Sequence, residues 1–185
     1  MGKTNRFLSV EQFEALRQQL YLLLRERSYR LSDTPLRLAS GRESYAYFDV
    51  RETSLTGEGL CLIGILFVHI IRQMGLQPLA IGGLTIGADP LVTATALTSY
   101  IYRRMPSDHH ILTSFIVRTE SKGYGVGGLI VGAKELPNGS PVVICDDVVT
   151  SGRGMIKASR AASSERGFQT TACLAAVDRQ EDEGR

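Results

Sequence analysis

Residues 141–154, Pro-Val-Val-Ile-Cys-Asp-Asp-Val-Val-Thr-Ser-Gly-Arg-Gly, restrict the fold more than any other stretch of the chain. Val142 to Cys145 are a short apolar run of the kind that makes a buried strand. Asp146 and Asp147 follow at its carboxyl end. Thr150, Ser151, Gly152 and Gly154 come next, where a helix should begin. In an open α/β sheet, ligands sit at the carboxyl ends of strands. A small-residue turn at a helix start offers free backbone N–H groups and a positive dipole end, both suited to a phosphate. Carboxylates repel a phosphate at close range and suit hydroxyl groups, or a metal carried by the substrate. A ribose phosphate has both a phosphate and a diol, and fits this mixture.

The rest of the chain alternates helix and strand patterns. Ser9 and Gln12 form a capping-box pattern, and Phe13, Leu16, Leu20, Leu23 and Leu24 recur at helical spacing. This first amphipathic helix is expected to pack on the domain or on a subunit partner. From Leu36 to Arg51, two extended pieces flank a Ser40-Gly41-Arg42 turn, and the second piece carries Tyr45, Tyr47 and Phe48 before Asp49 and Arg51. Gly57 to Gly75 predicts a buried helix ended by glycine. Leu79 to Pro90 predicts a strand, a glycine-rich turn and a helix start. The helix runs on to Tyr102, with Arg103 and Arg104 at its end favouring the dipole. Ser114 to Arg118 predicts another strand.

Gly123, Gly125 and Gly128 match the spacing of a dinucleotide-binding fingerprint, which requires a helix immediately afterwards. Here Leu129 to Gly132, followed by Pro137 and Asn138-Gly139, predicts a strand and a turn instead. Thr119 to Gly128 is expected to be a mobile loop with glycine hinges, carrying Glu120, Lys122 and Tyr124 beside Arg118. Met155 to Gly167 predicts a helix and Thr171 to Val177 a last strand, with Asp178-Arg179-Gln180-Glu181 at its carboxyl end. The final residues, 182–185, show no apolar pattern and are expected to be frayed. The alternation predicts a doubly wound, largely parallel α/β sheet with its site along one edge.

Composition removes several classes. The length of 185 residues suits one domain with a proper core. A formal net charge of +2 gives no general basic patch for nucleic acid. The longest apolar run, Leu60 to Ile71, is too short for a membrane span and is interrupted by Gly64 and His69. His69 is expected to be a core histidine. The N-terminus is polar, without a signal-peptide pattern. Cys61, Cys145 and Cys173 each sit in an apolar segment, so buried free thiols and a reducing cytoplasm are expected. No spacing with His69, His109 or His110 suggests zinc.

Val143-Ile-Cys-Asp-Asp-Val-Val-Thr-Ser-Gly152 resembles the signature by which type I phosphoribosyltransferases hold phosphoribosyl pyrophosphate (PRPP). Four further stretches resemble the orotate branch of that family, in its order and spacing from about Leu36 onward. They are Ser40-Gly-Arg-Glu-Ser44 with Tyr47-Phe48-Asp49; Gly82-Gly-Leu-Thr-Ile-Gly-Ala-Asp-Pro90; Phe115-Ile-Val-Arg-Thr-Glu-Ser-Lys-Gly-Tyr-Gly125; and Val177-Asp-Arg-Gln-Glu181. The resemblance implies one domain over 1–185: an N-terminal helix and small hood to about 55, an α/β core of mostly parallel sheet flanked by helices over about 56–181, and a flexible catalytic loop.

It also implies a reaction, orotate plus PRPP giving orotidine 5′-monophosphate and pyrophosphate with Mg2+, in pyrimidine nucleotide biosynthesis. Asp146 and Asp147 would hold the ribose hydroxyls, directly or through water and metal. Val148, Val149, Thr150, Ser151, Gly152, Arg153 and Gly154 would wrap the 5′-phosphate. Arg118 and Lys122 would meet the pyrophosphate, and Lys122, with the acid pair, would be catalytic. Arg179, Thr150, Tyr47 and Phe48 would border orotate. A cytoplasmic homodimer is implied, Lys122 reaching the neighbouring subunit's site, with no nucleic acid or membrane partner.

Some positions depart from the family pattern. The family commonly has Arg-Lys-x-x-Lys-x-His-Gly, where this chain has Arg118-Thr119-x-x-Lys122-x-Tyr124-Gly125. Thr119 lacks a cation, and a tyrosine at 124 cannot serve as an imidazole would at neutral pH. Ala39 and Ile86 also stand where some branches have lysine. Two alternatives therefore stay open: a PRPP- or nucleotide-binding regulator with little catalysis, or transfer to another acceptor.

Overall fold

The capping box at Ser9 is closed in the computed structural model. The Gln12 N–H donates to Ser9 Oγ at 3.2 Å, and the Ser9 N–H donates to Gln12 Oε1 at 2.9 Å. Residues 7–37, 43–103, 111–120 and 128–180 are described. The Ser40-Gly41-Arg42 turn, His109, His110, Lys122, Tyr124, Glu181 and the tail 182–185 lie outside them.

Helix α1 (Val10–Arg27) buries Leu20, Leu23 and Leu24. Its Phe13 ring stacks on the imidazole of His69 at 4.9 Å, and the Leu8 N–H donates to His69 Nδ1 at 3.1 Å. His69 is fully buried, the expected core histidine. Strands β1 (Tyr29–Arg37) and β2 (Glu43–Phe48) form a two-stranded antiparallel hood. β1 begins well before the extended piece expected at Leu36. Its side chains are mostly exposed and its register breaks between Leu31 and Leu36, around Pro35, so no clean apolar alternation marks it.

A short helix α2 (Arg51–Ser54) leads to α3 (Gly57–Gln73), whose N-cap Thr56 Oγ1 accepts from the Gly59 N–H at 3.1 Å. Then follow β3 (Ala80–Leu84), α4 (Ala88–Ile101), β4 (Thr113–Val117), β5 (Ile130–Gly132), β6 (Pro141–Val149), α5 (Arg153–Arg166) and β7 (Gln169–Asp178). The five-stranded sheet has the order β5-β4-β3-β6-β7. β4, β3, β6 and β7 run parallel and β5 antiparallel. Alternate residues of β6 face opposite ways. Val143 and Cys145 join a core with α1, α3 and α4, while Val142 and Ile144 join a second core with Phe115, Phe168 and α5.

The chain passes from β3 outward to β4 and β5, then crosses back to β6 on the other side of β3. That reversal opens a crevice at the carboxyl ends of β3 and β6. The expected strand at Val142 to Cys145 proves longer. Pairing of β6 with β3 stops at Gly83 and Cys145, but β6 continues against β7 as far as Val149 and Asp178. The acid pair therefore lies within a strand that has lost one neighbour. Helix α5 also starts two residues ahead of the expected Met155.

The cysteine expectation holds for Cys145 alone, since Cys61 and Cys173 are exposed. Both sit in apolar segments, but Cys61 is on the outward side of α3 and Cys173 is on the sheet's edge strand. A local apolar run does not tell which side of the element faces water.

At Gly64, α3 packs tightly against α4. A Cβ there would lie 2.5 Å from Thr98 Oγ1 and 2.8 Å from the Ala94 carbonyl oxygen. Gly64→Ala is expected to cost about 1–3 kcal/mol, because neither helix can retreat without opening the core. A lower urea midpoint would record the loss. Gly57→Ala, with nothing within 4 Å of the added carbon, should leave the midpoint nearly unchanged.

Candidate active site

Four chain segments converge on one cavity of about 330 Å³. The hood contributes Tyr47 and Phe48 from β2 and Asp49 to Arg51 beyond it. The turn after β3 contributes Leu84, Thr85 and Gly87, β6 and its turn contribute Asp146, Asp147, Val148 and Thr150, and the end of β7 contributes Arg179.

The two carboxylates are close enough to interact with each other, and each also lies against a glycine at a helix start. A Cβ on Gly154, in the first turn of α5, would lie 2.6 Å from Asp146 Oδ2, and one on Gly87, at the start of α4, 2.5 Å from Asp147 Oδ1. Glycine at both places lets the helix starts approach the acids. The Asp147 N–H donates to Asp146 Oδ1 at 3.0 Å and the Val148 N–H to Asp147 Oδ1 at 2.8 Å. Neither carboxylate has a salt-bridge partner among the described residues. Asp146 is accordingly pushed up to about 7, first by burial and then by the neighbouring charge of Asp147.

Beyond β6, Gly152 takes the left-handed conformation at φ 70° and serves as the N-cap of α5 without any side-chain hydrogen bond to the helix. The helix start is left without a side-chain cap, the arrangement that suits an anion. The Arg179 N–H donates to the Val149 carbonyl at 3.0 Å and the Gln180 N–H to Asp178 Oδ1 at 2.8 Å, which sets the turn that brings Arg179 to the cavity.

The cavity wall thus unites Tyr47, Phe48, Asp146, Asp147, Val148, Thr150 and Arg179. Val149, Ser151, Gly152 and Gly154 do not line it. Arg153 lines a separate cavity with Leu129, Ile156, Lys157 and Arg160. Arg118 follows β4, its N–H donating to the Leu129 carbonyl at 2.8 Å, and it does not line the central cavity. Lys122 lies outside the described residues. Helix α5 ties down both ends of that stretch. Lys157 Nζ donates to the Thr119 carbonyl at 2.8 Å, and the Leu129 and Ile130 N–H groups donate to the Glu165 carboxylate at 2.8 and 3.1 Å.

Sequence reasoning gave no role to Asp49, Val50, Arg51, Leu84, Thr85 or Gly87, all on the wall. Applying the strand-end rule to β3 as well as β6 would have marked Leu84 to Gly87. Asp49 and Arg51 carry no such signal, because they arrive from the hood.

Among the described residues no group of three or more His, Cys, Asp or Glu could cage a metal. Two adjacent carboxylates without a cationic partner do fit Mg2+, which keeps several waters and takes one or two carboxylates together with substrate oxygens.

Asp146 makes stability depend on pH. Folded, it keeps its proton up to about pH 7; unfolded, it loses it near the ordinary 3.8. Between these values the folded state binds more protons, so stability present below about pH 4 is lost as pH rises towards 7. Asp146→Asn should therefore be more stable than the parent at pH 8, with a much smaller difference at pH 4.5, read as thermal midpoints. A variant that melts earlier at pH 8 would show that the ionised carboxylate has a stabilising partner.

No family model matches the chain. Its fold is shared with the adenine phosphoribosyltransferase of Saccharomyces cerevisiae, at a TM-score of 0.65 over 93% of both chains and only 15% identity. The fold is that of the type I phosphoribosyltransferases. The chain is also 36% identical over 166 residues to the orotate phosphoribosyltransferase of Aquifex aeolicus (strain VF5), covering 89% of this chain and 85% of that one. Mycobacterium tuberculosis H37Rv orotate phosphoribosyltransferase, crystallised in complex with PRPP, is 28% identical with a TM-score of 0.66, covering 91% of this chain and 86% of that one. The chain belongs to the orotate phosphoribosyltransferase family.

Proposed function

We propose that this protein transfers the 5-phosphoribosyl group from PRPP to orotate, giving orotidine 5′-monophosphate and pyrophosphate for pyrimidine nucleotide synthesis. The observation that carries the reading is one cavity bounded by the acid pair, the start of the uncapped turn, Arg179 and the aromatic end of the hood.

Breaking the anomeric C–O bond builds positive charge on the ribose, as in glycoside hydrolysis. Asp146 and Asp147 hold the ribose hydroxyls and set that charge in a field of carboxylates. The backbone N–H groups from Val148 to Gly154, with the hydroxyls of Thr150 and Ser151, cradle the 5′-phosphate. Tyr47 and Phe48 border the base, and Arg179 and Thr150 meet its polar edge. Arg118 and Lys122 receive the pyrophosphate. Asp146 and Asp147 would hold Mg2+ largely through water and substrate, and the metal would supply charge neutralisation for the leaving group. No covalent nucleophile is needed.

Thr119 lacks the family's usual cation, yet Lys157 Nζ lies 2.8 Å from its carbonyl, so positive charge stands beside that position. This favours an active enzyme over a binding protein. We further propose that the chain acts as one domain and as a cytoplasmic homodimer, the segment with Lys122 serving the neighbouring site. Among the described residues no helix is long and apolar enough to cross a membrane.

The test is orotate consumption with PRPP and Mg2+, beside a PRPP binding measurement. Turnover is expected, and Asp147→Asn should lower kcat about 10²- to 10³-fold, the size of one lost electrostatic contact. Restoring the family residues, Thr119→Lys with Tyr124→His, should raise kcat; an equal rate would show that these positions do not limit the chemistry. PRPP binding without turnover would favour the regulator instead.

A further inference from the structure

Arg51 is on the cavity wall, and nothing in the proposed reaction uses it. Its guanidinium forms a two-pronged pair with Asp49, Nε donating to Oδ1 at 2.8 Å and Nη2 to Oδ2 at 2.7 Å. The same carboxylate accepts from the Arg51 N–H at 3.0 Å and from Tyr47 Oη at 3.2 Å. These four donors hold Asp49 well ionised, with its carboxyl below the usual range chiefly because of the Arg51 side chain. They also fix the plane of the guanidinium. A guanidinium has five N–H donors in a rigid fork, and Asp49 takes two of them along one edge. The end-on edge, Nη1 with the second Nη2 hydrogen, takes no part in that pair, and the Tyr47 hydroxyl also stands near the guanidinium. That edge matches a carboxylate.

The base of this fork is rigid. Val50 is fully buried, the Asp49 N–H donates to the Ser28 carbonyl at 2.9 Å, and the buried hydroxyls of Thr53 and Ser28 are 2.7 Å apart. An ordinary surface pair looks different here. Glu14 and Arg17 pair with side chains 51% and 64% exposed, whereas the Asp49 side chain is 14% exposed and anchors an Arg51 side chain that is 44% exposed. Asp49 also links Arg51 to Tyr47, so the fork lies on the same side of the cavity as the aromatic border of the base.

We infer that Arg51, oriented by Asp49, is a specificity-determining residue that reads the carboxylate of an anionic planar acceptor, leaving Arg179 for the ring's carbonyl edge. This rests on the proposed reaction. The test is equilibrium binding of orotidine 5′-monophosphate and of uridine 5′-monophosphate, the same nucleotide without the carboxylate, to the parent and to Arg51→Gln. The parent should prefer the carboxylated nucleotide. Arg51→Gln should weaken it about tenfold or more, the worth of a charge-assisted hydrogen bond, and leave uridine 5′-monophosphate within about twofold. Arg51→Lys, which keeps the charge but not the fork, should fall between, and it carries the same comparison if Arg51→Gln fails to fold. Asp49→Asn should narrow the preference through the loosened guanidinium. An unchanged preference in Arg51→Gln and Arg51→Lys would overturn the inference while leaving the reaction standing. So would an equal loss for both nucleotides, or a loss of PRPP affinity with the preference intact, which would make Arg51 a pyrophosphate ligand. A parent that binds neither nucleotide would overturn the proposed reaction itself.

Discussion

The site depends on the point at which β3 stops and β6 does not. Pairing between them ends at Gly83 and Cys145, so Asp146 and Asp147 are held on one side by β7 and open on the other to the crevice. Two neighbouring carboxylates in a half-buried strand repel each other and lose hydration, and the rise of Asp146 to about 7 records both effects. A structure selected for stability alone would place an amide or an apolar residue there. Perturbed acids that gather in a cleft mark function, because a ligand's hydroxyls or a cation can satisfy what the fold leaves unsatisfied.

The opposite wall has a different origin. The sheet builds its edge from parallel strands that end together, but the hood brings Tyr47, Phe48, Asp49 and Arg51 from a separate two-stranded sheet. The hood's place is secured at Ser28, Val50 and Thr53, buried beneath α1 and α3, and the polar residues stand on that support. The wall therefore combines charge with rigidity, which a solvent-exposed strand such as β1 could not supply by itself.

How much of this could be read from the chain varies with the range of the forces involved. Local signals served well: Ser9 and Gln12 cap α1, and Leu129 to Gly132 leads to β5, not the helix that a dinucleotide fingerprint needs. Asp146, Asp147 and Thr150 could be singled out because a strand end followed by small residues is itself a local pattern, and Arg179 through the resemblance of Val177 to Glu181 to the orotate branch. β1 could not, since an exposed strand broken around Pro35 has no apolar period. Cys61 and Cys173 misled for the reverse reason: their neighbours are apolar, yet tertiary packing turned the thiols outward. Arg51 was invisible as a wall residue because its place depends on how the hood docks, which no short window encodes.

Helix α5 joins the two halves of the chemistry. Its first turn, entered through the left-handed Gly152, abuts Asp146 through Gly154. Along its side, Lys157 and Glu165 hold the chain at Thr119 and at Leu129 and Ile130. Its inner face, Met155, Ala158, Ala161 and Ala162, is buried against Phe115, Ile144 and Phe168. Small residues at the middle of that face let the helix sit close to the sheet, and a close-packed interface resists sliding. The uncapped turn and the two ends of the stretch that bears Lys122 are thus referred to one rigid element. A change that shifts α5 along its axis would displace both at once. The packing beneath α5, remote from the cavity wall, is therefore part of what determines the geometry of the site.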